Sequence, residues 1–185
     1  CKRGTATLSG LMKGKRGLIM GLANDRSLAW GIARALGEQG AELAFSYQGE
    51  ALEKRVRPLA EELGSDILID CDVSDMKALD KAFEDLRGHW DGLDFVVHAI
   101  GFSDKNELRG KFVDTSMDNF LLTMNVSVYS FISVAQRARA MMKPGGSMLT
   151  LTYYGAEKVI PHYNVMGVAK AALETSVKYL AADLG

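Results

Sequence analysis

The chain has 185 residues, enough for one core of ordinary size. Its composition, with 48% apolar and 24% charged residues, is typical of a globular protein. Its 22 basic and 23 acidic side chains leave a net charge of −1, which gives no electrostatic argument for nucleic acid or a membrane surface as a partner. No apolar run approaches the ~20 residues that span a bilayer. The first residues contain no apolar segment, so we expect no signal peptide.

The cysteines and histidines predict neither a disulfide nor a metal site. Cys1 lies at a chain end that we expect to be mobile, whereas Cys71 lies in an apolar run and should be buried. A disulfide between them is therefore not expected, and the cytoplasm is the default location. The three histidines, His89, His98 and His162, show no metal-ligand spacing with cysteine or carboxylate residues.

Short apolar runs alternate with segments of helical periodicity. The runs are continuous, as expected for strands covered on both faces, and they occupy residues 17–21, 41–47, 67–71, 93–98 and 147–152. Helices are predicted at residues 27–39, 50–63, 76–89, 117–142 and 163–184. This alternation predicts an α/β fold with a doubly wound, Rossmann-like parallel sheet, forming one domain over residues 1–185 that we expect to be incomplete at its carboxyl end.

The loop after the first predicted strand is a candidate phosphate loop, although it lacks the GxGxxG pattern. Gly21 permits a close backbone approach, and Ser27 can cap the next helix and offer its hydroxyl to a phosphate. Gly31 would let that helix pack tightly on the sheet. An ordinary strand-to-helix loop would look much the same, so the pattern leaves both interpretations open.

The ends of the second and third strands bear on cofactor choice. Residues 46–49 contain neither the acidic residue that usually holds the ribose of NAD nor a cation for the phosphate of NADP. The pattern favours NAD without excluding NADP. Asp72, followed by Val73, can accept a hydrogen bond from an adenine amino group. Alternatively it caps the next helix, a role for which Ser74 and Asp75 are better placed.

Tyr163 and Lys170 are the strongest candidates for chemistry. Seven residues on one predicted helix are nearly two turns, so both side chains point to about the same side and can converge on a ligand. Lys170 is surrounded by alanine, valine and leucine, where a charge needs a partner. The alternative is that Lys170 snorkels to solvent.

With these residues in view, the sequence resembles the short-chain dehydrogenase/reductase superfamily, and more narrowly the bacterial NADH-dependent enoyl-acyl-carrier-protein reductases of the FabI type. The resemblance runs from about residue 11 to residue 185. It is carried by Gly21 with residues 27–33, residues 41–45 with Tyr47 and Gln48, residues 71–73, residues 98–102, and residues 163–167 with Lys170.

Three departures from the usual superfamily pattern distinguish enoyl reductases from ketoreductases. Tyr163 and Lys170 are separated by six residues instead of three, and residues 98–101 read His-Ala-Ile-Gly instead of Asn-Asn-Ala-Gly. Tyr153 occupies the region of the usual catalytic serine. Tyr154 differs from the smaller or aliphatic residue usual in the family, which bears on the shape of the acyl pocket.

The resemblance implies that NADH delivers hydride to the β-carbon of a trans-2-enoyl thioester on acyl carrier protein. Tyr163 would donate a hydrogen bond to the enolate oxygen. Lys170 would hold the nicotinamide ribose, and Tyr153 would border the substrate. The cofactor would be lined by Ser27, Leu28, Gln48, Asp72, Val73, Ile100 and Gly101.

The resemblance also implies a homotetramer with interfaces on the helices after the fourth and fifth strands. The apolar residues Val126, Phe131, Val177 and Leu180 fit such interfaces but fit a plain core equally well.

The sequence leaves two other functions as alternatives. A carbonyl reductase of the same fold is disfavoured by the Tyr163–Lys170 spacing. A non-catalytic nucleotide-binding protein is disfavoured by the presence of Tyr153, Tyr163 and Lys170 together.

Overall fold

The sheet has five parallel strands in the order β3-β2-β1-β4-β5, so the strand order reverses between β1 and β4. The computed structural model describes residues 10–185, and Cys1 lies outside them. The strands are β1 Arg16–Met20, β2 Glu42–Tyr47, β3 Leu68–Asp70, β4 Leu93–His98 and β5 Met142–Thr150. This topology confirms the predicted doubly wound α/β fold.

Helices cover both faces of the sheet. They are α1 Leu28–Glu38, α2 Gly49–Glu62, α3 Met76–His89, α4 Lys105–Leu108, α5 Met117–Met124, α6 Ser130–Ala138 and α7 Val165–Leu184. Alternate residues of each strand face opposite sides, so Ile19 packs against α1 and α2 whereas Leu18 packs against α3 and α6. The buried residues around Ile19 and those around Leu18 form two apolar clusters that hold the helices on the sheet. Full burial of one aliphatic side chain contributes about 1.5–3 kcal/mol to the free energy of unfolding.

The carboxyl ends of the central strands are level with one another. Met20, the last residue of β1, pairs with Ser46 of β2 and with His98 of β4. His98 in turn pairs with Thr150, the last residue of β5. Loops that leave these ends therefore meet along one edge of the sheet, at the point where strand order reverses.

Two predicted helices differ from the structure by more than one residue at an end. The helix predicted at residues 117–142 consists of α5, a π-helical turn at Asn125–Tyr129 and α6, and it ends at Ala138. Met142 pairs instead with Leu93, and a register shift accommodates the following residues before β5 continues along β4. The helix predicted at residues 163–184 begins at Val165, because Asn164 has a φ of 44° that no helix accepts.

Helix α1 packs on the sheet through the side that carries Trp30. Ala29, Trp30 and Ala33 are buried, and the partly buried Ile32 and Leu36 pack against the same core, whereas Leu28 is 74% exposed. A side chain at Gly31 would meet nothing within 4 Å, so the expectation that Gly31 allows tight packing on the sheet is wrong.

Candidate functional site

A cleft of about 390 Å³ opens at the carboxyl ends of β1, β2, β3 and β4, and we call it the strand-end cleft. It brings together six of the residues that the sequence predicts for cofactor binding, although they are spread over 80 positions of the chain: Gly21, Gln48, Asp72, Val73, Ile100 and Gly101. Ligands of open α/β sheets bind in this place, at the reversal of strand order.

Gln48 and Asp72 are joined across the ends of β2 and β3. The Gln48 amide donates a hydrogen bond of 2.8 Å to the Asp72 carboxylate, whose other oxygen accepts from the backbone N–H and the hydroxyl of Ser74. Asp75, not Asp72, caps α3 by accepting from the N–H of Lys77. The capping alternative for Asp72 is therefore wrong, and its role toward adenine remains a prediction.

The loop after β1 is stabilised by contacts of its own residues. Gly21 has a φ of 97°, and a Cβ there would overlap the carbonyl oxygen of Ala99, so the close approach that glycine permits is to the end of β4. The Ser27 hydroxyl accepts hydrogen bonds from the N–H groups of Ala23 and Asn24 instead of capping α1, which corrects the expected cap. Ser27 and the exposed Leu28 stand outside the residues that line the strand-end cleft.

Lys170 is buried, with 7% of its surface exposed, so the alternative of a solvent-directed lysine is wrong. Its ammonium donates a hydrogen bond of 2.9 Å to the carbonyl of Leu151, directly after β5. The same ammonium would lie 3.5 Å from a Cβ at Gly101, which places it at the edge of the strand-end cleft. Burial lowers the pKa of Lys170 because the charged form loses its hydration.

Tyr163 lies in the turn before α7 and not on the helix, so the prediction that one helix carries both Tyr163 and Lys170 is wrong. Its ring packs edge-on against Tyr153, with ring centres 4.9 Å apart and an interplanar angle of 70°. A Cβ at Gly155 would overlap the Tyr163 ring. Burial, and then the neighbouring Tyr153, raise the pKa of Tyr163, which favours a neutral phenol that can donate a hydrogen bond.

Tyr163 also lines a second cleft of about 460 Å³, which we call the Tyr163 cleft. Its walls are mainly apolar and include Phe112, Val159, Ile160 and Val168. Tyr154 is not among its lining residues; half of its surface is exposed and the Lys158 ammonium lies 5.3 Å from its ring centre. An apolar cleft beside a hydrogen-bond donor suits an acyl chain with a polar head.

His98 is a buried polar residue to which the resemblance assigns no role. Its Nδ1 lies 2.9 Å from the hydroxyl of Thr150 and its Nε2 lies 2.8 Å from that of Ser130. Burial, and then the charge of Lys170, lower the pKa of His98 to about 4. The neutral ring thus links the ends of β4 and β5 to α6. A histidine at the end of an apolar strand is the feature of the sequence that could have indicated this role.

The family model described as enoyl-(acyl carrier protein) reductase matches residues 21–185. The chain therefore belongs to the enoyl-(acyl carrier protein) reductase family. It is 65% identical over 180 residues to the NADH enoyl-[acyl-carrier-protein] reductase 1 of Rhizobium meliloti, covering 97% of this chain and 66% of that protein. The family member from Rickettsia typhi is 54% identical over 175 residues, covering 95% of this chain and 67% of that protein. The chain thus spans about two thirds of the length of these relatives.

Solved structures of family members share this fold closely. The reductase of Anaplasma phagocytophilum, crystallised in complex with NAD, is 60% identical with a TM-score of 0.94, covering 97% of this chain and 69% of that one. The Bacillus cereus enoyl-acyl carrier protein reductase, crystallised with NADP+ and an indole naphthyridinone, is 49% identical with a TM-score of 0.93, covering 95% and 69%. In the part of this chain that the structure describes, no helix is long and apolar enough to cross a membrane.

Proposed function

We propose that this family member reduces the carbon–carbon double bond of a trans-2-enoyl thioester carried on acyl carrier protein, with NADH as the hydride donor. The observation that carries the proposal is the placement of three side chains. The buried ammonium of Lys170 borders the strand-end cleft, and Tyr163, packed edge-on against Tyr153, lines an apolar cleft. The first arrangement suits a dinucleotide and the second suits an acyl chain.

When bound in the strand-end cleft, NADH supplies the hydride that reaches the β-carbon of the substrate. Negative charge then develops on the thioester oxygen, and the neutral phenol of Tyr163 donates a hydrogen bond to it. The ammonium of Lys170 holds the ribose hydroxyls and favours the negative charge electrostatically. Tyr153 packs on Tyr163 and borders the reacting carbons.

The cofactor residues fall into three groups. Gln48, Asp72 and Val73 would hold the adenine end, where the Gln48–Asp72 hydrogen bond orients the carboxylate. Gly21, Ile100 and Gly101 would line the path toward the nicotinamide, and Ser27 with Leu28 would approach the phosphates. Residues 46–49 offer no cation for a 2′-phosphate, which supports NADH over NADPH. Because one family member was crystallised with NADP+, both donors belong in the test.

We further propose a homotetramer in the cytoplasm. Val177 and Leu184 of α7, seven positions apart on one side of the helix, are 39% and 40% exposed, an apolar surface that a partner subunit would cover. Phe131, in contrast, is 3% exposed and belongs to the core between α6 and α7. The buried free thiol of Cys71 fits a reducing compartment. Sedimentation velocity would give a single species of four chains, and a monomer at micromolar concentration would contradict the proposal.

The decisive experiment follows loss of NADH absorbance with a trans-2-enoyl thioester, beside a 3-ketoacyl thioester and beside NADPH. Reduction of the enoyl substrate with NADH preferred supports the proposal. Reduction of the ketone alone would make the protein a carbonyl reductase. Binding of NADH without reduction of either substrate would make it a nucleotide-binding protein.

A further inference from the structure

The turn that carries Tyr163 has an unusual backbone. The residues on either side of it, His162 and Asn164, have φ values of 63° and 44°, and among residues 10–185 they are the non-glycine residues with positive φ. Asn164 combines this φ with a ψ of −125°, a conformation that glycine adopts far more readily than other residues. Such conformations persist where surrounding contacts enforce them, and they occur preferentially at functional sites.

The Asn164 side chain supplies that enforcement. An asparagine at the start of a helix usually accepts a hydrogen bond from the first turn of that helix, but Asn164 does not cap α7. Its amide nitrogen points to the end of α4 instead. There it lies 2.9 Å from the carbonyl oxygen of Gly110 and 3.4 Å from those of Glu107 and Leu108. Two donor hydrogens thus serve three carbonyl oxygens, of which that of Glu107 also accepts from the N–H of Gly110.

The segment that receives this amide is itself anchored. The Glu107 carboxylate accepts hydrogen bonds from the N–H and the hydroxyl of Ser116, the residue that caps α5. At the other end of the segment, the buried side chain of Asn119 accepts from the N–H of Asp104. The carbonyls that hold Asn164 are therefore tied to α5, which packs in the main body of the domain.

We propose that Asn164 is a positioning residue whose amide, bound to the carbonyls at residues 107–110, holds the turn in the conformation that directs the Tyr163 hydroxyl. The role of Asn164 rests on the proposed function, because it acts through Tyr163. It requires no contact between Asn164 and substrate. We call the hydrogen bonds of the Asn164 amide to these carbonyls the tie. Since a misplacement of about 1 Å can cost ~10²-fold in rate, loss of the tie reduces turnover without removing a reacting group.

The test separates the tie from the backbone strain. Asn164→Gly removes the amide but accepts the positive φ, whereas His162→Gly accepts the neighbouring positive φ and leaves the tie intact. We expect Asn164→Gly to lower kcat about 10- to 100-fold with an unchanged KM for NADH, and His162→Gly to keep wild-type kcat. Asn164→Asp, of the same shape but without donor hydrogens, should behave like Asn164→Gly and serves if the glycine variant does not fold.

A double-mutant comparison shows whether Asn164 acts through Tyr163. In a Tyr163→Phe background, Asn164→Gly should change kcat less than about twofold, because residues that act as a unit are not additive. A full additional loss in that background would overturn the proposal, as would an unchanged kcat in the single variant.

Hydrogen exchange gives a readout that does not depend on the reaction. Asn164→Gly should speed exchange at the amides of both residues 105–111 and residues 162–166, and His162→Gly should leave residues 105–111 as in the wild type. If the wild type reduces no enoyl thioester yet shows this pattern, the proposed function fails while the tie stands. Unchanged exchange at residues 105–111 in Asn164→Gly would overturn the tie itself.

Discussion

The strand-end cleft and the turn that carries Tyr163 are built in different ways. The cleft forms where four parallel strands end level with one another, so the topology of the sheet places Gly21, Asp72 and Gly101 side by side. The Tyr163 turn depends on individual contacts: the edge-on packing of Tyr153, the space at Gly155 and the amide of Asn164.

This difference suggests how the two regions respond to change. Pairing between strands and burial of both sheet faces stabilise the cleft collectively, so no single side chain decides its shape. The turn contains two residues with positive φ, each of which costs about 1–3 kcal/mol that its few contacts must offset. Substitutions at the turn should therefore alter catalysis sharply, and substitutions around the cleft should alter cofactor affinity gradually.

The largest effect is expected from Tyr163→Phe. Loss of the hydrogen bond to the developing oxyanion should lower kcat about 10²–10³-fold, while NADH affinity stays within a factor of two because the ring remains in place. Stopped-flow reduction and fluorescence titration of NADH measure the two quantities. Tyr154→Phe is the matched control, since Tyr154 is half exposed and its hydroxyl should be dispensable. Equal losses in both variants would contradict the role of Tyr163.

An acid-stability experiment tests His98, which lies between the two regions. Its pKa in the folded protein is about 4, below the ordinary 6.5, so the unfolded chain binds a proton first as the pH falls. Stability should therefore fall between pH 6.5 and pH 4, by up to about 3 kcal/mol from this residue. His98→Asn should flatten the profile over that window in urea titrations. Parallel profiles for the two proteins would show that other groups dominate acid unfolding.

A smaller loss is expected from Gly155→Ala, which probes the space for the Tyr163 ring. The added methyl group would overlap that ring, so the ring must move and kcat should fall about 10- to 100-fold. NADH affinity should not change, because Gly155 lies away from the strand-end cleft. Gly31→Ala is the control, since its methyl group would meet open space. Wild-type turnover in Gly155→Ala would mean that the turn adapts more easily than the geometry suggests.

The smallest of these effects should come from Lys170→Met at the edge of the cleft. Loss of the ammonium should weaken NADH binding about tenfold, or ~1.4 kcal/mol, and lower turnover as well. Thermal stability should stay equal or rise, because the buried charge is replaced by an apolar chain of similar length. Lys178→Met, an exposed substitution on the same helix, provides the comparison. A Lys170→Met protein that binds NADH as tightly as the wild type would remove Lys170 from the cofactor site.

Much of this arrangement could be predicted from the sequence. The five strands and the alternation with helices follow from local apolar patterns, and β4 has the predicted bounds. The resemblance implies that Gln48, Asp72 and Gly101 line one cofactor, and because parallel strands end at one edge these residues lie together in the strand-end cleft. The choice between a buried and a solvent-directed Lys170 could not be made, because periodicity alone does not show which face of a helix is covered.

What the tertiary structure alone decided is the conformation around Tyr163 and His98. The separation of seven positions from Tyr163 to Lys170 predicts nearly two turns of helix, yet α7 begins after Tyr163 because Asn164 has positive φ. That conformation is unfavourable for an isolated asparagine and persists where the carbonyl of Gly110, 54 positions earlier, accepts its amide. Local patterns thus determine the sheet and the edge at which the strand-end cleft opens, whereas contacts between distant segments determine where the Tyr163 hydroxyl lies.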